Sequence, residues 1–220
     1  MIAPHLISDF IPALHLEDSG EHVLMAMHEY NVSQLPVVEG KKYVGLVAME
    51  EIINLKHLSQ PLKSFQLPAR KPFVQNTAHI FDVMKAAIDF NVRVVPVVDE
   101  EQNYLGIISA ESCLRAFGVL NSVKEPGAIL ELEIPFSDYS LSEVARIAED
   151  NEVKVLCLYT NINQHDSIME ITMKVNATDV ASLVASFERY EYEVKAVYND
   201  VEYTEELKDR YDALMRYLSV

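Results

Sequence analysis

The sequence contains no tryptophan, only two cysteines and six glycines, and it sets 18 basic residues against 34 acidic ones. Cys113 follows a glycine-containing strand segment and Cys157 lies inside the apolar run VLCLY. Two lone thiols far apart in apolar contexts read as core fillers rather than as a disulfide or a metal pair. The Walker A, GxGxxG, GxSxG, HExxH and CxxC patterns are all missing, so no catalytic motif emerges and the chain is expected not to be an enzyme. A net charge of −16 excludes non-specific nucleic-acid binding, which needs cations to release counterions from phosphates. No apolar run approaches the ~18 to 20 residues that span a bilayer, and the opening residues lack a basic stretch followed by an apolar core. No membrane contact and a cytosolic location are therefore expected.

The histidines offer no metal site either. His5, His15, His22, His28, His57, His79 and His165 are scattered. His22 and His28 lie six residues apart on an expected helix and face different directions. The adjacent His165 and Asp166 fall in a polar hairpin loop and read as a solvated turn.

With 220 residues, half of them apolar, the chain has room for one or two globular domains. Acidity is unevenly spread: residues 1 to 120 carry nine basic and fourteen acidic residues, and residues 121 to 220 carry nine and twenty. The shift falls near Ser122 to Ala128, where Pro126 and Gly127 interrupt both helix and strand. A domain boundary is expected there, giving domains over 1–121 and 122–200 and a terminal helix within 201–220.

The first half is an internal repeat. Asn31, Pro36, Val37 and Val38 recur sixty positions on as Asn91, Pro96, Val97 and Val98, and Gly45 recurs as Gly106 because the second turn is one residue longer. The copies span about 1–58 and 59–121. Each reads helix, strand, polar turn, strand, short helix. In the first, Val23, Met27 and Tyr30 mark one helical face after the capping candidates Asp18 and Ser19. In the second, Ile80, Met84 and Ala87 follow Asn76 and Thr77. The strands are Leu35 to Val38 with Tyr43 to Val47, and Val95 to Val98 with Tyr104 to Ile108. Such a unit leaves a sheet face uncovered, so the two copies are expected to bury theirs against each other.

This pattern of helix, apolar-Pro-Val-Val, acidic turn, Tyr-apolar-Gly-apolar-apolar and closing helix resembles a tandem pair of CBS domains, the Bateman module. The resemblance implies two clefts between the repeats that take adenosine-containing ligands such as AMP, ADP, ATP or S-adenosylmethionine, with no required cofactor, and a homodimeric disc. It places candidate ligand contacts at Leu35, Pro36, Gly45, Glu51, Arg93, Val95, Pro96, Gly106, Ser109 and Ser112. A ligand-binding repeat reads Gly-x-x-Thr/Ser-x-x-Asp, in which the hydroxyl meets phosphate and the carboxylate holds the ribose diol. Here Gly45 is followed by Ala48 and Glu51, and Gly106 by Ser109 and Ser112, so each copy keeps one of the two groups. Arg93 matches a basic position that contacts phosphate in some members; its counterpart in the first copy is Ser33.

After Gly127 the periodicity changes. Ala128 to Pro135 alternates as a strand, and Ser140 with Glu143 forms a capping box for a helix that faces inward through Val144, Ile147 and Ala148. Val153 to Thr160 is a second strand, Asn161 to Ser167 a hairpin loop, and Ile168 to Val175 a third strand. A helix starting near Thr178 packs Val180, Leu183, Val184 and Phe187 inward before a strand over Tyr192 to Tyr198. The order βαββαβ is the split βαβ, ferredoxin-like arrangement, and makes the whole chain an α/β (α+β) protein. After a CBS pair, it resembles an ACT domain, an amino-acid-binding module, and the full order resembles the acetoin-utilisation protein B family. The turn Phe136 to Ser140 lacks the glycine that amino-acid-binding ACT domains place there. Tyr203 to Leu218 reads as a helix with Leu207, Tyr211, Leu214 and Leu218 on one stripe.

Three readings follow: a cytosolic sensor whose CBS pair binds an adenine nucleotide and signals through the ACT-like domain, a ligand-free dimerisation scaffold, and a regulatory subunit of a separate enzyme.

Overall fold

The computed structural model describes residues 3–8, 10–55, 57–65, 71–163 and 167–199. Contacts divide the chain into two compact units, Met1–Phe117 and the part from Gly118 on.

The first unit consists of two copies of one motif. In the first, β1 (Leu14–His15) pairs in parallel with β2 (Gln34–Glu39), which pairs antiparallel with β3 (Lys42–Ala48). Helices α1 (Gly20–Glu29) and α2 (Met49–Ile53) accompany this sheet. In the second, β4 (Val74–Gln75), β5 (Val94–Val98) and β6 (Tyr104–Ser109) repeat the pairing, with α3 (Ile80–Phe90) and α4 (Ala110–Leu120). The two-residue strands β1 and β4 carry too short a pattern to be read in sequence.

The recurrence of asparagine has a backbone cause. Asn31 and Asn91 both adopt left-handed φ, 52° and 51°, where each helix turns into its strand, a conformation asparagine tolerates better than most residues. The longer second turn is stabilised by Asp99, whose Oδ1 accepts the N–H groups of Glu101 at 2.9 Å and Asn103 at 2.8 Å. The Asn103 side chain, whose Nδ2 donates to Asp99 Oδ2 at 2.8 Å, and these backbone bonds hold the Asp99 carboxyl below the usual carboxylate range.

Ser19 caps α1, its Oγ accepting the His22 N–H at 3.2 Å. Helix α3 is capped by His79 instead of Asn76 or Thr77, whose positions are taken up by the exit from β4: Asn76 N–H donates to the Val98 carbonyl at 2.9 Å. Helix α4 runs eleven residues against five in α2, so the second closing helix is not short.

Each copy has its own core, around Val23, Met27, Leu35 and Val47 in the first and Val83, Val95, Val97 and Ile108 in the second. A third cluster of Leu46, Val94 and Ile107 joins the sheets across the repeat. The two hairpin turns also meet reciprocally. Tyr43 N–H donates to the Gln102 carbonyl at 3.1 Å, Tyr104 N–H to the Lys41 carbonyl at 2.8 Å, and Lys42 Nζ to the Glu101 carbonyl.

The second unit contains β7 (Ala128–Pro135), α5 (Leu141–Asp150), β8 (Val155–Asn163), β9 (Ile168–Val175), α6 (Ala181–Arg189) and β10 (Glu193–Asn199). The strands order as β10-β7-β9-β8, all antiparallel, which is the ferredoxin-like arrangement. In β7 and β9 alternate side chains are buried, and Leu130, Leu132, Ile171 and Met173 pack against Val144 and Ile147 of α5 and Leu183 and Phe187 of α6. Gly127 has a φ of +156° and sits so close to β9 that a Cβ there would fall 1.9 Å from the Val175 carbonyl oxygen.

Several local expectations are corrected. Ser140 Oγ accepts the Glu143 N–H at 3.4 Å, but Glu143 does not complete the capping box; its carboxylate takes the Tyr192 hydroxyl at 3.3 Å and the Arg146 guanidinium at 3.6 Å. Val153 belongs to the turn leaving α5, since its N–H donates to the Ala148 carbonyl at 3.0 Å. Asn161 to Asn163 are strand rather than loop, because they pair with Ile168 to Glu170 of β9. Helix α6 starts at Ala181, three residues after Thr178, with the Ala181 N–H donating to Asp179 Oδ1 at 3.2 Å. Cys113 is buried, which raises its thiol pKa, whereas Cys157 is half-buried on the edge strand β8 and is no core filler. His165, Asp166 and the stripe from Tyr203 to Leu218 lie outside the described residues.

Candidate functional site

Two clefts lie between the repeats of the first unit, and they are chemically unequal. The larger, cleft 1, has a volume of about 580 Å³. One wall is the turn from α1 into β2, Tyr30 to Gln34. The facing wall is Arg93 and Val94 at the start of β5 with Ser109 to Ser112 and Arg115 at the start of α4. Ser8, Phe10 and Ile11 line its edge.

The backbone holds these walls together. Gln34 Oε1 accepts the Arg93 N–H at 2.9 Å, tying β2 of one repeat to β5 of the other. The Arg93 carbonyl accepts the Ala110 N–H at 2.8 Å, seating the first turn of α4 beside the root of Arg93. Ser109 Oγ accepts the Ser112 N–H at 3.1 Å and lies 3.0 Å from Ser112 Oγ, so the hydroxyl pair caps α4 within the cleft. That helix presents its positive dipole end to the cleft, which favours a negatively charged ligand.

Two guanidinium groups add to this field. Arg93 is exposed along the cleft, and Arg115 lies one turn beyond Ser112 on the same face of α4. Arg115 is paired with Glu111 through Nη2 and Oε1, a bond that raises the Arg115 pKa further. Arg115 was missed from sequence, although its i,i+3 relation to Ser112 signalled it. Tyr30, Gln34 and Phe10 were also missed; nothing local marks them, because they reach the cleft only through the pairing of the repeats, whereas Ser33, which also lines it, is the first-copy counterpart of Arg93.

Cleft 2, the counterpart, has about 160 Å³ and is lined by Gln34, Leu46, Val47, Ala48, Glu51, Pro72, Phe90 and Val92. Its one carboxylate among the described residues, Glu51, accepts the Ala48 N–H at 2.8 Å and so caps α2. Alanine at 48 offers no hydroxyl, and among the described residues no cation lines this cleft.

Of the residues singled out in the sequence, Arg93, Ser109 and Ser112 come together in cleft 1, and Glu51 stands alone in cleft 2. Leu35, Pro36, Gly45, Val95, Pro96 and Gly106 are buried within the two hairpins and line neither cleft. They are the ladder that sets the walls, paired as Pro36 with Leu46, Val37 with Gly45, Val95 with Ile108 and Val97 with Gly106.

In the second unit, the sheet face away from α5 and α6 mixes polar side chains with Ile129, Ile168, Tyr159 and Tyr198. It carries Glu131 and Glu133 of β7 and Glu170, Thr172 and Lys174 of β9. Lys195 bridges Glu133 at 2.9 Å and Glu193 at 2.8 Å, and Asn161 Nδ2 donates to Glu170 at 2.9 Å. Among the described residues, no group of three or more His, Cys, Asp or Glu side chains could hold a metal ion. No described helix is long and apolar enough to cross a membrane.

Comparison with known proteins places this geometry. The CBS domain model matches residues 5–57 and 64–119. An uncharacterised protein of Methanocaldococcus jannaschii, MJ0188, is 30% identical over 102 residues, 46% of this chain; the match spans 38% of that protein's length. A CBS domain pair/ACT domain protein of Thermotoga maritima is similar over 53% of this chain and 96% of its own, at 22% identity and a TM-score of 0.48. The AMP complex of CBSX2 is similar over 56% of this chain and 98% of its own, at 19% identity and a TM-score of 0.48.

Proposed function

From a chain whose residues 5–57 and 64–119 are a tandem pair of CBS domains, we propose a non-catalytic regulatory protein that binds one adenine nucleotide, in cleft 1. The observation that carries this reading is the inequality of the clefts. Cleft 1 combines Arg93, Arg115, the Ser109–Ser112 hydroxyl pair and the positive end of α4 in about 580 Å³; cleft 2 has about 160 Å³, no cation among the described residues that line it, and a carboxylate already used as a helix cap. The phosphate of AMP, ADP or ATP suits the first. S-adenosylmethionine, which brings a cationic sulfonium, suits it less.

The ferredoxin-like unit is read as ACT-like, receiving the signal of cleft occupancy and passing it to a separate metabolic enzyme. The order of units supports the kinship to the acetoin-utilisation protein B family. A homodimer is supported by large apolar side chains exposed on helices of the first unit, Met25 at 67%, Ile53 at 57%, Phe81 at 60% and Ile88 at 76%. A second copy covering them offsets their contact with water.

Thermal-shift titration and calorimetry with AMP, ADP, ATP and S-adenosylmethionine test the ligand. Stabilisation by a phosphate-bearing nucleotide with a stoichiometry of one per chain is expected. No stabilisation by any of them at millimolar concentration refutes the reading and favours the ligand-free scaffold. Sedimentation analysis tests the dimer, and capture from a cell extract tests the regulated enzyme.

A further inference from the structure

Phe10 is out of place for a packing residue. It is 78% exposed, yet the chain on both sides of it is anchored. Ser8 forms an antiparallel bridge with Ile107, its N–H donating to the Ile107 carbonyl at 2.8 Å. Ile11 packs against the core of the first repeat and against the cluster joining the repeats. Between these points the Phe10 N–H donates to Ser8 Oγ at 3.3 Å, and the ring stands out on the edge of cleft 1.

There it meets Tyr30 edge to face, with centroids 5.7 Å apart and planes at 79°. Tyr30 is the half-buried C-cap of α1 and lines the same cleft. This contact props the Phe10 ring in one orientation and still leaves aromatic surface free. A cleft with two guanidinium groups and a helix N-terminus needs only a phosphate to satisfy them; a braced, exposed ring on its rim serves a planar group as well.

We propose that Phe10 is a specificity-determining residue of cleft 1, stacking on the purine base of the ligand with Tyr30 as its brace. The inference rests on the nucleotide reading and deepens it: the site selects a purine nucleotide over phosphate esters without an aromatic ring.

The test uses the full chain, AMP as the probe and ribose 5-phosphate as the base-free control. Phe10→Ala is expected to weaken AMP about tenfold, the usual worth of a base–aromatic stack, and to leave ribose 5-phosphate binding unchanged. Because Phe10 is exposed, the melting temperature stays that of the parent. Phe10→Trp keeps AMP affinity and supplies the only tryptophan of the sequence; its emission changes on adding AMP and not on adding ribose 5-phosphate. If the parent binds AMP but Phe10→Ala binds it within twofold, or loses both ligands equally, or if the tryptophan emission ignores bound AMP, the stacking role is overturned and the functional reading stands. If the parent binds no adenine nucleotide, both fall.

Discussion

Replacing Arg93 by alanine isolates the electrostatic contribution to cleft 1. The side chain is exposed and forms no ion pair among the described residues, while its backbone N–H and carbonyl hold Gln34 and Ala110 at 2.9 and 2.8 Å. Those backbone bonds survive the substitution, so the walls of the cleft and the melting temperature are retained. What is lost is one charge-assisted hydrogen bond to phosphate, about 1.5 to 3 kcal/mol, or about one to two decades in affinity. Arg115→Ala weakens AMP as well, because it removes a cation from the cleft and leaves the Glu111 carboxylate of the same wall unpaired. Calorimetric titration of AMP into the parent and the two variants at about 0.05 and 0.3 M salt checks both points. The parent weakens with salt, and Arg93→Ala weakens less steeply, since exposed charges are screened. An Arg93→Ala protein that binds AMP within twofold of the parent, with an unchanged melting temperature, refutes the anion-binding account of cleft 1.

Glu51→Gln tests the inequality of the clefts: it disturbs the cap of α2, costing about 0.5 to 1 kcal/mol of stability in urea unfolding, and leaves AMP affinity as it was. Phe187→Ala removes a fully buried ring packed edge to face on Tyr192, with centroids 5.4 Å apart, and is expected to cost about 3 to 5 kcal/mol, lowering the melting temperature of the second unit by more than about 10 °C in calorimetry. Gly127→Ala destabilises the same unit by more than about 2 kcal/mol, read by urea unfolding, because the added Cβ meets the Val175 carbonyl at 1.9 Å. Tyr192 is pushed up to about 12 by burial first and by Glu143 second. Its contribution is complete below the unfolded tyrosine pKa of about 10 and is lost as pH rises through the folded value. Stability falls between those limits in the parent, and Tyr192→Phe flattens that part of the profile.

Most of the fold was legible because it is written in periodicity. The sixty-residue recurrence of Asn-x-x-x-x-Pro-Val-Val fixes two hairpins with equal registers, and the alternation in AILELEIP and IMEITMKV identifies β7 and β9 to the residue. The misreadings cluster where a side chain has several partners within reach. Glu143 looks like a capping acid, but Tyr192 and Arg146, distant or on the next turn, compete for it. Asn76 looks like a helix cap, but its N–H extends the β4–β5 pairing by donating to the Val98 carbonyl. The site was legible in part for the same reason. The Gly-x-x-Ser-x-x-Ser stretch announces the hydroxyl pair of α4, whereas nothing near residue 10 announces that a phenylalanine is held out over a cleft built around residues 93 and 109.

By itself the sequence determined the repeat, the class of each half and the groups each cleft position retained, since all of these follow from local spacing and residue type. Only the tertiary structure decided which cleft is the site. That outcome depends on where side-chain bonds are spent: Glu51 on its own helix cap, Arg115 beside Glu111 in the open cleft, and Phe10 outward between two anchored neighbours. Spacing along the chain specifies which groups are available, and only packing specifies which of them are left facing a ligand.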